Sequence, residues 1–363
     1  MKGRNTFKIP ASLAKLSPRE EFWREKQHFL LTRGYKLRPR YHPDWKPSWN
    51  TEVEYDIWPE DAFVYHPRSY MIDATRMSDG KLVQIRRVYA GDTESSICNE
   101  LSKYADDKNH AIPVLDYFKN PTEPYLAFMV VPFLRQIDDP PFETVGDVVD
   151  FVSQILEGLV FLHDYGLVHG HCTYENLAMD TSGLYPKGFH PIKTDMLPDS
   201  YTPVAPLPRS GQPIRYYFTN FKKSVWRSSP GARKTVLSAV SGKARHEPDK
   251  APRNHHTDQM KSDVEMLGHV LQNQLYSRYS NLEFLKPLID QMVIEDLRNR
   301  SSSKQALIQW STIKESLSWP RTKRRLRSRQ RSSVFRAIYI TMESLLQYSL
   351  GGALRWRASL AFT

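Results

Sequence analysis

The feature that most restricts the fold is a change of period near Pro140. Before it, apolar residues come in short β-branched and aromatic runs, "YMIDATRM", "KLVQIRRVY", "IPVLDYF" and "YLAFMVVPFL", which read as strands. Asp79-Gly80 separates the first two, a strong hairpin signal. Only "TESSICNELSKYA" breaks the series, with Ile97 and Leu101 four apart as on a short helix. After Pro140 the spacing is helical. "TVGDVVDFVSQILEGLVFLHDYG" opens with a Thr144/Asp147 cap, carries apolar residues at 148, 151, 152, 155, 156 and 159, and closes at Gly166. "SDVEMLGHVLQNQL", "NLEFLKPLIDQMV" and "SSSKQALIQWSTIKESL" read as three further helices, the last starting from a Ser302/Gln305 capping box. A small sheet with one helix, followed by a larger helical part, is expected. With 363 residues, 40% of them hydrophobic, a sizeable core is available.

The flanks differ in character. "SPREEFWREKQHFLL" suits a short helix, with Ser17 and Glu20 as a capping box and Pro18 in the first turn. "GYKLRPRYHPDWKPSWN" has too many prolines for a helix and is expected to lie extended across a surface, held by Tyr and Trp. Seven prolines in 185–214 argue for extended or polyproline structure, either a partner-docking loop or an inert insertion. The net charge is +11, yet residues 321–336 hold eight Lys/Arg and no acid, so the basic character is local. Beyond them, apolar residues at 335, 338, 342, 345 and 346 make one helical face, while Glu343 and Gln347 argue against a spanning helix. Such a tail suits an anionic membrane surface or nucleic acid, and equally a helix docked on the protein beside a solvated charge run.

Cys98 and Cys172 are too few for a disulfide framework or a thiolate zinc site, and His255-His256 has no cysteine nearby. The mildly basic N-terminus lacks an apolar h-region, so no signal peptide and a cytoplasmic or nuclear location are expected.

"LVHGHCTYENLAMD" (Leu167–Asp180) stands just after the long helix and has the outline of a catalytic loop. Together with "GYKLRPRY", "DATRMSDG", "NHAIPVLDYF" and "GFHPIKTDM", it makes residues 35–315 resemble protein kinases, most closely the kinase-like proteins expanded in mushroom-forming fungi. The resemblance implies an α+β, two-lobed kinase-like fold. An N-terminal extension (1–60) would pack on an N-lobe (61–134) and a C-lobe (135–318) with a Pro-rich insertion (181–215), before the tail (319–363).

It also implies roles. "VQIR" stands at the VAIK strand, so Arg86 replaces the phosphate-holding lysine and Glu94 is its helix partner. Gln84 would point at the adenine slot, where kinases favour alanine, and Leu134 completes the nucleotide-binding candidates. His169-Gly170-His171 stands at HRD, with His171 at the catalytic aspartate; Asn176 matches the metal-binding asparagine. Asn220-Phe221-Lys222 stands at DFG, with the metal-binding aspartate turned into an amide. His169, Phe221, Asp263 and Arg300 match stacking and bracing positions, Arg300 with Glu247 as its partner. "YHPRSYMIDATR" contains no glycine, so the phosphate-cradling GxGxxG is absent.

Arginine at a lysine phosphate site is not a conservative exchange, and its pairing with Glu94 equally fits an ordinary ion pair. A neutral imidazole accepts a proton near pH ~6.5 but supplies no negative charge. Mg²⁺ wants charged oxygens, and Asn176 and Asn220 offer neutral carbonyls among Arg86, Lys222 and Lys223. The expectation is a pseudokinase scaffold with weak or no ATP binding, Mg²⁺ bound poorly or not at all, and an unidentified protein partner; nothing points to a homo-oligomer. Two alternatives stay open: an active atypical Ser/Thr kinase with His171 as base, and an adaptor binding anionic membrane or nucleic acid through 321–357.

Overall fold

The computed structural model describes residues 6–64, 70–226 and 253–329. Its strands and helices are, in chain order, β1 (Phe7–Lys8), α1 (Pro18–Thr32), β2 (Tyr35–Lys36), β3 (Glu54–Tyr55), β4 (Met71–Arg76), β5 (Leu82–Tyr89), α2 (Thr93–Leu101), β6 (Asp116–Lys119), β7 (Leu126–Pro132), β8 (Arg135–Gln136), α3 (Val145–Asp164), β9 (Leu167–Val168), β10 (Leu177–Asp180), β11 (Arg215–Phe218), β12 (Val225–Trp226), α4 (Arg253–Val270), α5 (Lys286–Met292), α6 (Ser303–Glu315) and α7 (Trp319–Thr322). The architecture is mixed α and β, compatible with a kinase-like fold. The capping boxes at Ser17, Thr144 and Ser302 all form, and Asp79-Gly80 turns β4 into β5, with Gly80 at φ +70°.

The main sheet is antiparallel in the order β2-β4-β5-β7-β6. Period-2 alternation divides β7 between two cores. Leu126, Phe128 and Val130 face α1, where Trp23 and Leu30 cover them. Ala127, Met129 and Val131 join a second core that continues through α2 and α3 to Trp310 on α6. This double burial explains the uninterrupted apolar run. β5 follows the same rule: Val83 and Ile85 sit under α1, whereas Val88 belongs to the second core.

Residues 35–49 differ from the expectation. They do not merely lie across a surface: Tyr35 and Lys36 pair with Arg76 and Thr75 as the edge strand of the sheet, and Leu37, Tyr41 and Trp49 are buried. The prolines stop a helix but leave room for a short strand and an aromatic anchor every few residues. Arg40, fully buried, ties this stretch to α1 through the Glu20 carboxylate at 2.6 Å and to the turn before it through the Leu13 carbonyl at 2.8 Å.

The Pro-rich segment is a compact coil, not a polyproline rod. Leu184, Tyr185, Phe189 and His190 are buried, and the rings of Tyr185 and Phe189 each lie 4.8 Å from the Arg135 guanidinium. Aromatic residues between the prolines give the coil a core. Beyond α6, the start of the basic run is docked: Arg325 bridges Thr144 and Ser328 bridges Tyr279. The helix expected at 335–346, the side chains of His255 and His256, and Glu247 lie outside the described residues.

Candidate functional site

The face of β5 that carries Val88 also carries Gln84 and Arg86, and α2 lies against it. Asp92 caps α2 by accepting a 2.7 Å bond from the Ser95 amide. Glu94 therefore sits in the first turn, where the helix dipole favours its charge. It is buried, and its Oε1 accepts from Arg86 Nη1 at 3.2 Å. Arg86 Nε donates to Gln84 Oε1 at 2.9 Å. Lys222 approaches the other Glu94 oxygen at 3.9 Å, and its ammonium lies 4.1 Å from the Tyr70 ring centroid. Leu134 packs partly buried against the main core.

In the helical part, β9 leads into His169-Gly170-His171. Asp263, fully buried on α4, accepts from the amides of His169 and Gly170, both at 2.8 Å, and lies 3.1 Å from His163 Nε2. The His169 ring packs 4.9 Å from Phe221 and 5.4 Å from Phe218. Its Nε2 faces the Thr219 carbonyl at 3.1 Å, and its Nδ1 accepts from the His171 amide at 3.2 Å. Burial pulls the His169 pKa down to about 4, so the ring is neutral. Gly170 is at φ +74°, and a Cβ there would stand 2.6 Å from the Lys223 carbonyl oxygen. The loop thus closes directly on the segment after Phe221.

Asn176 and Asn220 are brought together. Asn220, in the left-handed conformation at φ 64°, donates from Nδ2 to Asn176 Oδ1 at 3.0 Å. Asn176 Nδ2 donates to the His171 carbonyl at 3.0 Å and Thr173 Oγ1 at 3.1 Å. His171 is half-buried on the same loop. Arg300 stands apart, in the helical part, paired with Glu265 at 2.8 Å.

One buried trio, His169, Cys172 and Asp263, has ligand atoms close enough to share a metal ion. It does not fit one. Both His169 nitrogens are engaged, the Asp263 oxygens accept backbone amides, and burial, with a thiol bond to Asp263, raises the Cys172 pKa so that the sulfur keeps its proton.

The sequence did not point to a second polar cluster. Asp73 stands opposite Gln84 across the β4–β5 ladder, on the same face of the sheet. Arg38 meets it with two bonds, Nε to Oδ2 at 2.8 Å and Nη2 to Oδ1 at 3.3 Å. Arg38 also donates to the Phe63 carbonyl at 2.7 Å and to Glu60 at 3.3 Å. Burial opposes the Arg38 charge, but the Asp73 carboxylate outweighs it and raises the guanidinium pKa. Glu60 lies 3.4 Å from His190 of the Pro-rich coil, whose ring contacts Phe63 edge-on at 5.7 Å. Arg38 thereby links the sheet to both non-sheet segments. A signal was present in the acid at position 73, an unusual residue in a strand with buried neighbours on both sides.

No protein-family model and no curated protein matches the chain. Among solved structures, that of a Rad53 kinase domain with SCD2 is similar, at 14% identity over 77% of this chain and 94% of that one, with a TM-score of 0.41. So distant a likeness says nothing about activity; the chemistry of these residues has to be read from their own contacts.

Proposed function

We propose that the chain is a kinase-like pseudokinase whose two-lobed body serves as a binding scaffold and does not transfer phosphate. The contact between Asn176 and Asn220 carries the proposal. On the kinase reading these are the two metal-holding positions, and here they are neutral amides bonded to each other at 3.0 Å. The carboxylate of Glu94 is taken by Arg86 at 3.2 Å and approached by Lys222 at 3.9 Å. A hard divalent cation would have to displace an amide pair, gain no charged ligand, and sit beside an ammonium. The residues do not fit Mg²⁺.

The nucleobase side is equally altered. Gln84, Asp73 and Arg38 put a hydrogen-bonded polar cluster where the kinase reading expects a small apolar roof. Opening it for a base would strip Arg38 of its partners.

A thermal-shift titration with ATP, with and without Mg²⁺, tests this. The midpoint is expected to stay unmoved by Mg²⁺ with ATP. A saturable Mg²⁺-dependent rise would overturn the proposal, since a ligand at a hundred times its Kd stabilises by about 2.7 kcal/mol. Phosphotransfer that disappears in Arg86→Ala would favour the active-kinase alternative instead.

A further inference from the structure

We infer that Trp319–Arg329 forms a preformed docking strip for an anionic phospholipid surface. The reading does not depend on what the cleft binds. Three observations support it.

First, the backbone is clamped. The Val145 amide donates to the Arg324 carbonyl at 2.9 Å, and the Leu326 amide to the Glu143 carbonyl at 2.8 Å. The Ser280 amide donates to the Arg327 carbonyl, and the Arg329 amide to the Arg278 carbonyl, both at 2.7 Å. Asn281 closes the middle by donating to the Arg325 carbonyl at 2.9 Å and accepting from the Arg327 amide at 3.0 Å. A strip already fixed does not have to be ordered when it binds, which removes a large entropic term.

Second, the anchors are main-chain groups, so the cations stay available. Arg321 lies over the Phe284 ring and Arg329 is claimed by Glu283 and by the carbonyls of Tyr276 and Tyr279. Arg324, Arg325 and Arg327 are exposed, and among the described residues no ion pair claims them. Exposed cations on one rigid strip draw anionic headgroups by about a factor of five each.

Third, Trp319 opens the strip with 72% of its surface exposed, and the Lys323 ammonium lies 5.8 Å from its ring centroid. An indole next to cations suits the headgroup layer, where an amphipathic ring rests between water and hydrocarbon. Single-stranded nucleic acid would instead call for aromatic rings interleaved with the cations, so that successive bases stack. Here the exposed ring stands at one end, which favours the membrane.

The test is sedimentation of the full chain with phosphatidylcholine vesicles, with and without phosphatidylserine, at low and high salt. Binding is expected only with phosphatidylserine, with a blue shift of tryptophan fluorescence and release at high salt. Replacing Arg324, Arg325 and Arg327 together by alanine should weaken it on the order of a hundredfold, while the melting midpoint stays put because the clamp is main-chain. Trp319→Ala should weaken binding at low salt and remove most of the blue shift. Wild-type binding by the triple variant would overturn the inference. So would an oligonucleotide bound as tightly as the vesicles in the same buffer. Neither result bears on nucleotide binding in the cleft, so the two proposals stand or fall separately.

Discussion

The Arg38–Asp73 pair offers the sharpest energetic test. Its side chains are 10% and 1% exposed, with an N–O distance of 2.8 Å. Removing one partner of such a pair strands a charge away from water and costs about 3–5 kcal/mol. Asp73→Ala should fall near ~3 kcal/mol, because Arg38 keeps the Phe63 carbonyl and Glu60. Arg38→Leu should fall nearer ~5 kcal/mol, since it leaves a carboxylate only 1% exposed without its fork of donors. Replacing both, Arg38→Leu with Asp73→Val, removes both charges and restores an apolar strand face. It should cost less than either single change, a coupling of about 5 kcal/mol or more. Urea denaturation at neutral pH reads all four proteins, the midpoint giving stability and the slope checking that the unfolding transition is the same. Additive single effects would refute the reasoning, because they would mean that the two groups do not depend on one another. The double variant also exposes the altered roof to nucleotide: if the cluster blocks the base, adenosine should raise its melting midpoint but not that of the wild type.

Acid should destabilise the protein through His169 and His110. Burial lowers both from 6.5 to about 4 in the folded chain. Between those values the unfolded chain binds the extra proton and the folded chain does not, so stability falls as pH drops from about 6.5 and levels off below about 4, by on the order of 3 kcal/mol per ring. Stability measured across that window is expected to show the slope, and His110→Phe should flatten part of it. Gly158→Ala should also destabilise, by about 1–3 kcal/mol of overpacking, because its Cβ would stand 2.5 Å from the His110 Cβ; an unchanged urea midpoint would count against so close a contact.

Local signals were legible. Three capping boxes, the Asp-Gly hairpin and the helical spacing after Pro140 each depend on neighbours a few residues apart, and each appears where its residues indicate. Long-range pairing was not. Tyr35–Lys36 is two residues long and sits among prolines, so no periodicity could announce it as a sheet edge. Arg40 reads as a surface residue in a polar stretch, yet is fully buried because Glu20 and carbonyls converge on it from elsewhere in the chain. The site divides the same way. Asn176, Asn220, Arg86 and Glu94 could be picked out only through the resemblance to kinase motifs, whereas the Arg38–Asp73–Glu60–His190 chain of contacts joins segments that nothing in their spacing connects.

The close approach at Gly170 bears on how such a chain could change. Its φ of +74° and the carbonyl 2.6 Å from any added Cβ make every larger residue unwelcome while Lys223 stays where it is. An engineered side chain at that position would therefore need a prior shift of the segment around Lys223. The obstacle is one of order: the Lys223 backbone must yield before position 170 can carry a Cβ, so two changes are needed where one would otherwise serve.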